Sequence, residues 1–343
     1  MKTTCQVTHA TPADQPSSVH EMADRLFPAY TVDEGKVHLA GCLLQDRLFV
    51  RLDFMHGDDE VQVFIDEQGN EVDASLIEAL GMGEVERLAK PPAPYKPQVE
   101  RATARATQLI QSRFSGNMAP ELTGTTAIWC KFAEGKLRFD VGEASADLPF
   151  ADWARTLQPP PFVCQQTSAS SFHLAATDDG RIVPADQIEC CAETGQRVVA
   201  SDLAACAATG RHVLPELLAT CPVSGQRVIE AELVCCEACR QSVAPSVIAR
   251  GQCSACRSLK SVRKADPRMA RLLDEHPPLD RWRNWRMAET ASVYILEAAG
   301  WVKQLLLVVD KESLELLHLA TGSRLSGRWT PVAANQYDFV LRE

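Results

Sequence analysis

The chain has 343 residues, 45% apolar and 23% charged, with a formal net charge of −10. That apolar share supports a sizeable core or two to three domains and excludes a wholly disordered chain, and no run approaches the roughly 18 consecutive apolar residues of a membrane span. The acidic balance argues against broad nonspecific binding to nucleic acid. The 13 cysteines, an odd number, follow a start (MKTTCQVTHATPADQ) without a signal-like apolar core, so a reducing, cytoplasmic setting with metal-binding thiols is expected.

Residues 1–18 are polar, with Pro12, Pro16, Ser17 and Ser18, and read as a disordered tail. Residues 19–90 read as a β-rich α+β domain. KVHLAGCLL, RLFVRLDF and VQVFI predict three strands, with turns near Gln45–Asp46 and His56–Asp59, and Asp73 caps a helix to about Ala79. PPAPYKP, residues 91–97, is a stiff linker by composition. In residues 98–175 a helix follows, with Val99, Ala102, Ala106, Leu109 and Ile110 on one face. TAIWCKF and KLRFDV predict a hairpin across Glu134–Gly135, then a short helix around Trp153 and a break at Pro159–Pro161. FHLAAT, from Phe172, reads as a strand.

Residues 176–260 repeat. Aligned on glycine, ATDDGRIVPADQI, CAETGQRVVASDL, CAATGRHVLPELL, CPVSGQRVIEAEL and CEACRQSVAPSVI begin at Ala176, Cys191, Cys206, Cys221 and Cys236, a period of 15 residues. Val183, Val198, Val213, Val228 and Val243 recur in phase, as do Ile188, Leu203, Leu218, Leu233 and Ile248. Units this short cannot bury an apolar face alone, so neighbours are expected to share a core through both positions. Each unit predicts a polar turn at glycine, a short strand at valine and a helical turn, opened in one unit by Pro215.

The last unit runs into CEACRQSVAPSVIARGQCSAC, which sets Cys236, Cys239, Cys253 and Cys256 in a C-x2-C-x13-C-x2-C pattern. Two C-x-x-C turns with sulfurs facing inward make the closed tetrahedral shell of a structural Zn²⁺. Such a shell leaves no position for substrate. The segment Cys236–Cys256 resembles zinc-ribbon and treble-clef modules, with the upstream units as degenerate copies, and no family is recognised for the whole chain. The resemblance implies a structural module that docks nucleic acid or a protein. Arrays of C-x-x-[ST]-G units also resemble those of uncharacterised bacterial proteins linked to Swi/Snf-type helicases, which implies a helicase-type ATPase as a partner class.

Upstream, the second knuckle position is Thr194, Thr209 or Ser224, and Cys164 with Thr167 imitates the pattern once more. Cys191, Cys206, Cys221 and Cys235 are therefore either packing residues or ligands that converge on a second metal, and Cys190 shares the ambiguity. His212 reads as an exposed turn residue, with recruitment as a spare ligand the alternative.

Residues 261–343 read as a basic helical segment and an antiparallel β meander. Between Arg250 and Arg286 ten Lys/Arg stand against four acids, a local charge of +6 on a chain whose remainder carries −16. Asp266 and Pro267 start a helix, and SVYILEA, KQLLLVVD and SLELLHLAT form the meander with a turn at Asp310–Glu312. Arg257, Arg263, Lys264, Trp282, Arg283 and Trp285 are the candidate nucleic-acid contacts, by phosphate pairing and base stacking; the alternative is that they pair and pack within the fold.

No phosphate-binding loop, dinucleotide fingerprint, H-E-x-x-H or G-x-S-x-G motif is present. The reading is a multidomain α+β protein, not an enzyme, in which Zn²⁺ and the repeats build an adaptor or scaffold subunit for a protein partner, with no membrane and no small-molecule substrate. Its alternatives are a nucleic-acid-binding accessory factor acting through residues 250–286 and an enzyme with an unfamiliar site in the N-terminal region.

Overall fold

A computed structural model describes residues 6–114, 120–300, 302–323 and 329–342. The chain is mixed α and β and divides into two compact units, Met1–Ile188 and Glu189–Glu343. The division falls inside the repeats.

The first unit is built on two very long antiparallel strands, Gly35–His56 and Glu121–Val141, paired along nearly their whole length. They bring the regions 19–90 and 98–175 into one six-stranded sheet, so these are not separate domains. Asp59–Ile65 extends the sheet on one side, and Thr8–Pro12, Val85–Arg87 and Ala144–Trp153 on the other. The polar start is thus not a free tail: Thr8–Pro12 lies parallel to Glu121–Val141, and Ser18 caps the helix Val19–Leu26. Residues 1–5 lie outside the described residues.

Neither expected turn within the long strands forms. The chain passes straight through Gln45–Asp46, and the irregularity falls at Gly41–Cys42, where the register shifts between Ala40 and Leu43. Gly135 is no turn glycine either. It sits opposite that bulge, where a Cβ would come within 2.9 Å of the Cys42 Cα. A glycine needed for close backbone approach looks the same in sequence as one needed for a turn. Trp153 likewise ends a strand instead of starting a helix.

Helix Lys96–Arg113 lays Val99, Ala102, Ala106 and Ile110 on Leu48, Val50, Leu52 and Trp129, as its 3.6-residue spacing predicts. Asp73 takes the N-cap position of the helix Ala74–Ala79, as expected, but its side chain makes no capping hydrogen bond.

In the second unit each boundary between repeats is a hairpin. Ala204–Ala205 pairs His212–Val213, Leu218–Thr220 pairs Arg227–Ile229, and Val234–Cys235 pairs Ser242–Val243. Short 3-10 turns, such as Pro215–Leu217, link one hairpin to the next. Val198, Val213, Val228 and Val243 are all buried, as the phase predicts, and so is Val183 in the first unit. Leu203, Leu218, Leu233 and Ile248 are only partly buried, because two-residue strands give a thin layer that covers one row of side chains and leaves the next at its rim.

Within the second unit, the repeats from Cys191 onward and the C-terminal sheet share a core. The C-terminal sheet has six antiparallel strands in the order Lys260–Ser261, Arg286–Glu289, Val293–Ala299, Lys303–Asp310, Leu316–Ser323 and Trp329–Pro331. Side chains alternate across it. Val293, Ile295, Leu306 and Val308 pack on the repeats, while Tyr294, Leu296, Leu305 and Leu307 pack on Met269, Leu272 and Leu279. Asp266 caps the helix Pro267–Glu275 that carries Met269 and Leu272.

Candidate metal centre

Each knuckle is a five-residue turn closed by two backbone bonds. In the unit from Cys206, the Cys206 amide donates to the Arg211 carbonyl at 2.8 Å, and the Gly210 amide donates back to the Cys206 carbonyl at 2.8 Å. The glycines take positive φ (73° at Gly210, 72° at Gly225), and in the last unit Arg240 takes the same place at 61°. A long side chain is uncommon in that region.

The same turn carries two members of a four-cysteine cluster. The sulfurs of Cys236, Cys239, Cys253 and Cys256 all lie within 4.8 Å of one another, and the grouping can hold a metal ion. Cys236 Sγ is 3.9 Å from Cys256 Sγ, and Cys239 Sγ is 3.8 Å from Cys253 Sγ. A tetrahedron with 2.3 Å metal–sulfur bonds has edges of about 3.8 Å, so the cage has the size of a zinc–thiolate shell. All four residues are buried, from 0% exposed at Cys236 and Cys253 to 9% at Cys256. The first pair comes from the hairpin turn after Val234–Cys235. The second comes from the strand Gln252–Cys253 and the turn of helix Ser254–Arg257, which Cys253 caps by accepting from the Cys256 amide.

Backbone donors complete the cage. The Cys253 amide donates to Cys236 Sγ at 3.3 Å, and the Cys256 amide to Cys253 Sγ at 3.4 Å. Hydrogen bonds from Cys239, Cys253 and Cys256 hold the Cys236 thiol far below its usual range, and the same crowding drives Cys256 far above it. Four thiolates this close repel one another, and a divalent cation is what permits all four to ionise.

The upstream knuckles keep the turn and satisfy the sulfur differently. Ile229 donates its amide to Cys206 Sγ at 3.4 Å, and Ala244 donates to Cys221 Sγ at 3.2 Å, each from the following unit. The hydroxyls of Thr194, Thr209 and Ser224 bond Cys191, Cys206 and Cys221. Burial pushes these thiols up, but the converging donors outweigh it, bringing Cys191 and Cys206 down to about 7 and lowering Cys221 too. Cys164 repeats the arrangement with Thr167, and its amide donates to the Ala169 carbonyl at 2.9 Å.

Cys191, Cys206, Cys221 and Cys235 are therefore not drawn together: among the described residues the one such grouping is Cys236, Cys239, Cys253 and Cys256. Each of Cys191, Cys206 and Cys221 is buried at its own hairpin tip, and Cys235 is exposed, as is Cys190. A hydroxyl and an amide stand where the other cysteines of the cluster stand in the last unit. His212 is exposed and bonds Glu189 through Nδ1 at 2.8 Å.

The basic segment splits. Trp285 is 3% exposed, within the core against the helix Pro267–Glu275, and its indole donates to the Trp282 carbonyl at 3.1 Å, so it offers no face to a base. Trp282 is half-buried on the same core. Lys264 pairs with Asp280 at 2.6 Å, and Arg257 donates to the Val247 carbonyl at 3.4 Å. Arg263 and Arg283 are exposed.

From sequence, His318 reads as a histidine in an apolar or turn context without a recognisable partner. It faces Ala238 and Arg240 of the four-cysteine knuckle; burial first, then the nearby Arg240 charge, lowers its pKa, against a smaller opposing effect of the Ala238 backbone. A histidine 62 residues beyond the last ligand gives no spacing signal. Comparison with protein-family models, curated proteins and solved structures returns no match. Among the described residues no helix is long and apolar enough to cross a membrane.

Proposed function

We propose that the chain is a zinc-dependent, non-enzymatic scaffold that presents a rigid ladder of knuckle hairpins to a protein partner in the cytoplasm. The observation that carries this reading is the closed shell of four buried sulfurs, seated in the same core as the repeats and one face of the C-terminal sheet. A closed thiolate shell supplies folding energy and leaves no open coordination position for chemistry. Zinc is the metal that best suits four soft ligands in a tetrahedron of this size.

The backbone bonds between successive units support a stiff array. Ala192 donates to the His212 carbonyl and Ala207 to the Arg227 carbonyl, each at 2.9 Å and 20 residues on. Arg211 joins three units, reaching Glu193 at 2.6 Å and Glu232 at 2.8 Å. The test is affinity capture from native lysate with the zinc-loaded chain and with Cys239→Ser, each with and without nuclease. A protein retained by the loaded chain alone, resistant to nuclease, is the expected result. Equal retention by both forms overturns the zinc-dependent scaffold, and loss on nuclease treatment overturns the protein partner.

A further inference from the structure

The short strand Lys260–Ser261 is the edge of the C-terminal sheet, just beyond the metal-bearing helix. Two cavities open along it, of about 650 and 400 Å³, sharing Ser261 and Val262 in their linings, and together they border the groove along this edge. Three of the six cations on this groove are already neutralised. Arg268 lies on Asp266, at 2.8 Å, and on Glu289; Arg286 is 3.4 Å from Glu297; Lys264 holds Asp280. The two acids in the lining, Asp266 and Glu289, are thus both engaged, and Glu289 also accepts from Lys311 at 2.9 Å.

Three cations remain. Lys260, Arg263 and Arg283 are exposed, line the groove and, among the described residues, have no carboxylate within 4.0 Å. Ser261 and Asn284 add neutral polar groups of the kind that bond phosphate oxygens. None of the large exposed apolar side chains of the described residues lines the groove, so it lacks the apolar anchor typical of a protein hot spot. With Trp285 buried there is no stacking platform either.

We propose that this groove binds the phosphodiester backbone of single-stranded nucleic acid, independently of base sequence. The contact is electrostatic: Lys260, Arg263 and Arg283 each take a phosphate along the sheet edge, and the bases face away. A concave edge receives one strand, whereas duplex grooves are entered by a projecting helix or ribbon. Three phosphate contacts give a slope of about −2 in log affinity against log salt, a loss of about 20-fold between about 50 and 200 mM.

The experiment is fluorescence anisotropy of a labelled, mixed-sequence DNA single strand titrated with the zinc-loaded full chain over that salt range. The triple variant Lys260→Ala, Arg263→Ala, Arg283→Ala should lose the salt slope and bind at least about tenfold more weakly at low salt. Lys96→Ala, Arg101→Ala, Arg105→Ala removes the same charge from the exposed side of a helix in the first unit and should bind like the parent. Arg263→Lys with Arg283→Lys should retain the slope, which guards against a folding defect in the alanine variant. Absence of salt-dependent binding by the parent, equal loss in both alanine triples, or equal or tighter binding of duplex DNA or polyglutamate overturns the proposal.

Discussion

Replacing Cys239 by threonine converts the last knuckle into the type found upstream, and it tests whether metal or hydrogen bonding holds this part of the array. Thr194 and Thr209 serve their sulfurs with a hydroxyl, and the following unit adds an amide. In Cys239→Thr the hydroxyl is restored, but Cys253 and Cys256 lose the centre that ties them to Cys236. Structural zinc contributes on the order of 10–16 kcal/mol in small domains, whereas each hydrogen bond contributes a net of about 0.5–1.5 kcal/mol. What remains locally is two hairpins of two residue pairs each, and an isolated hairpin is marginal in water. The segment 236–257 should therefore open, while the helix-packed face of the sheet, centred on Leu305, Leu307 and Trp285, stays folded. Elemental analysis should fall from about one tightly bound zinc per chain to none, and hydrogen exchange should show protection lost in 236–257 and kept in 303–310. Unchanged protection in 236–257 with no metal bound would refute the reasoning, since the knuckle would then stand on hydrogen bonds alone.

Val228→Ala removes two methyl groups from a fully buried site and should cost about 2 kcal/mol or more by chemical denaturation, whereas Arg211→Ala, on exposed ion pairs, should cost about 1 kcal/mol or less and less still in high salt. The thiols of Cys191 and Cys206 are near 7 when folded, against an ordinary value of about 8.5, so the folded state binds fewer protons between these values. Array stability should rise from pH about 7 to 9 and be lost as pH falls through 7; Thr194→Ala with Thr209→Ala should flatten that slope relative to the parent at equal zinc, as read from urea midpoints. Trp285→Ala should lower stability by about 3–5 kcal/mol, the mark of a core residue, while leaving the salt slope for single-stranded DNA intact in the folded fraction.

The sequence by itself determined which four cysteines meet in one cluster and the phase of the array. Both are local: a C-x-x-C turn closes within five residues, and a 15-residue period repeats the same short-range bonds in the four units that begin with cysteine, so spacing alone carries the information. Helix Lys96–Arg113 and the cap at Asp266 were legible for the same reason. Only the tertiary structure decided what depends on residues far apart. Gly135 is explained by Cys42, 93 positions away, and Thr8–Pro12 is ordered by a strand more than 100 residues downstream. Trp285 and Arg283, neighbours in one basic stretch, part company because the chain turns between them at Asn284, whose φ is 52°, so that Trp285 meets the core and Arg283 meets water. Likewise, the lone thiols of Cys206 and Cys221 are completed by amides 23 residues on, a bond between units that no pattern within a single unit records.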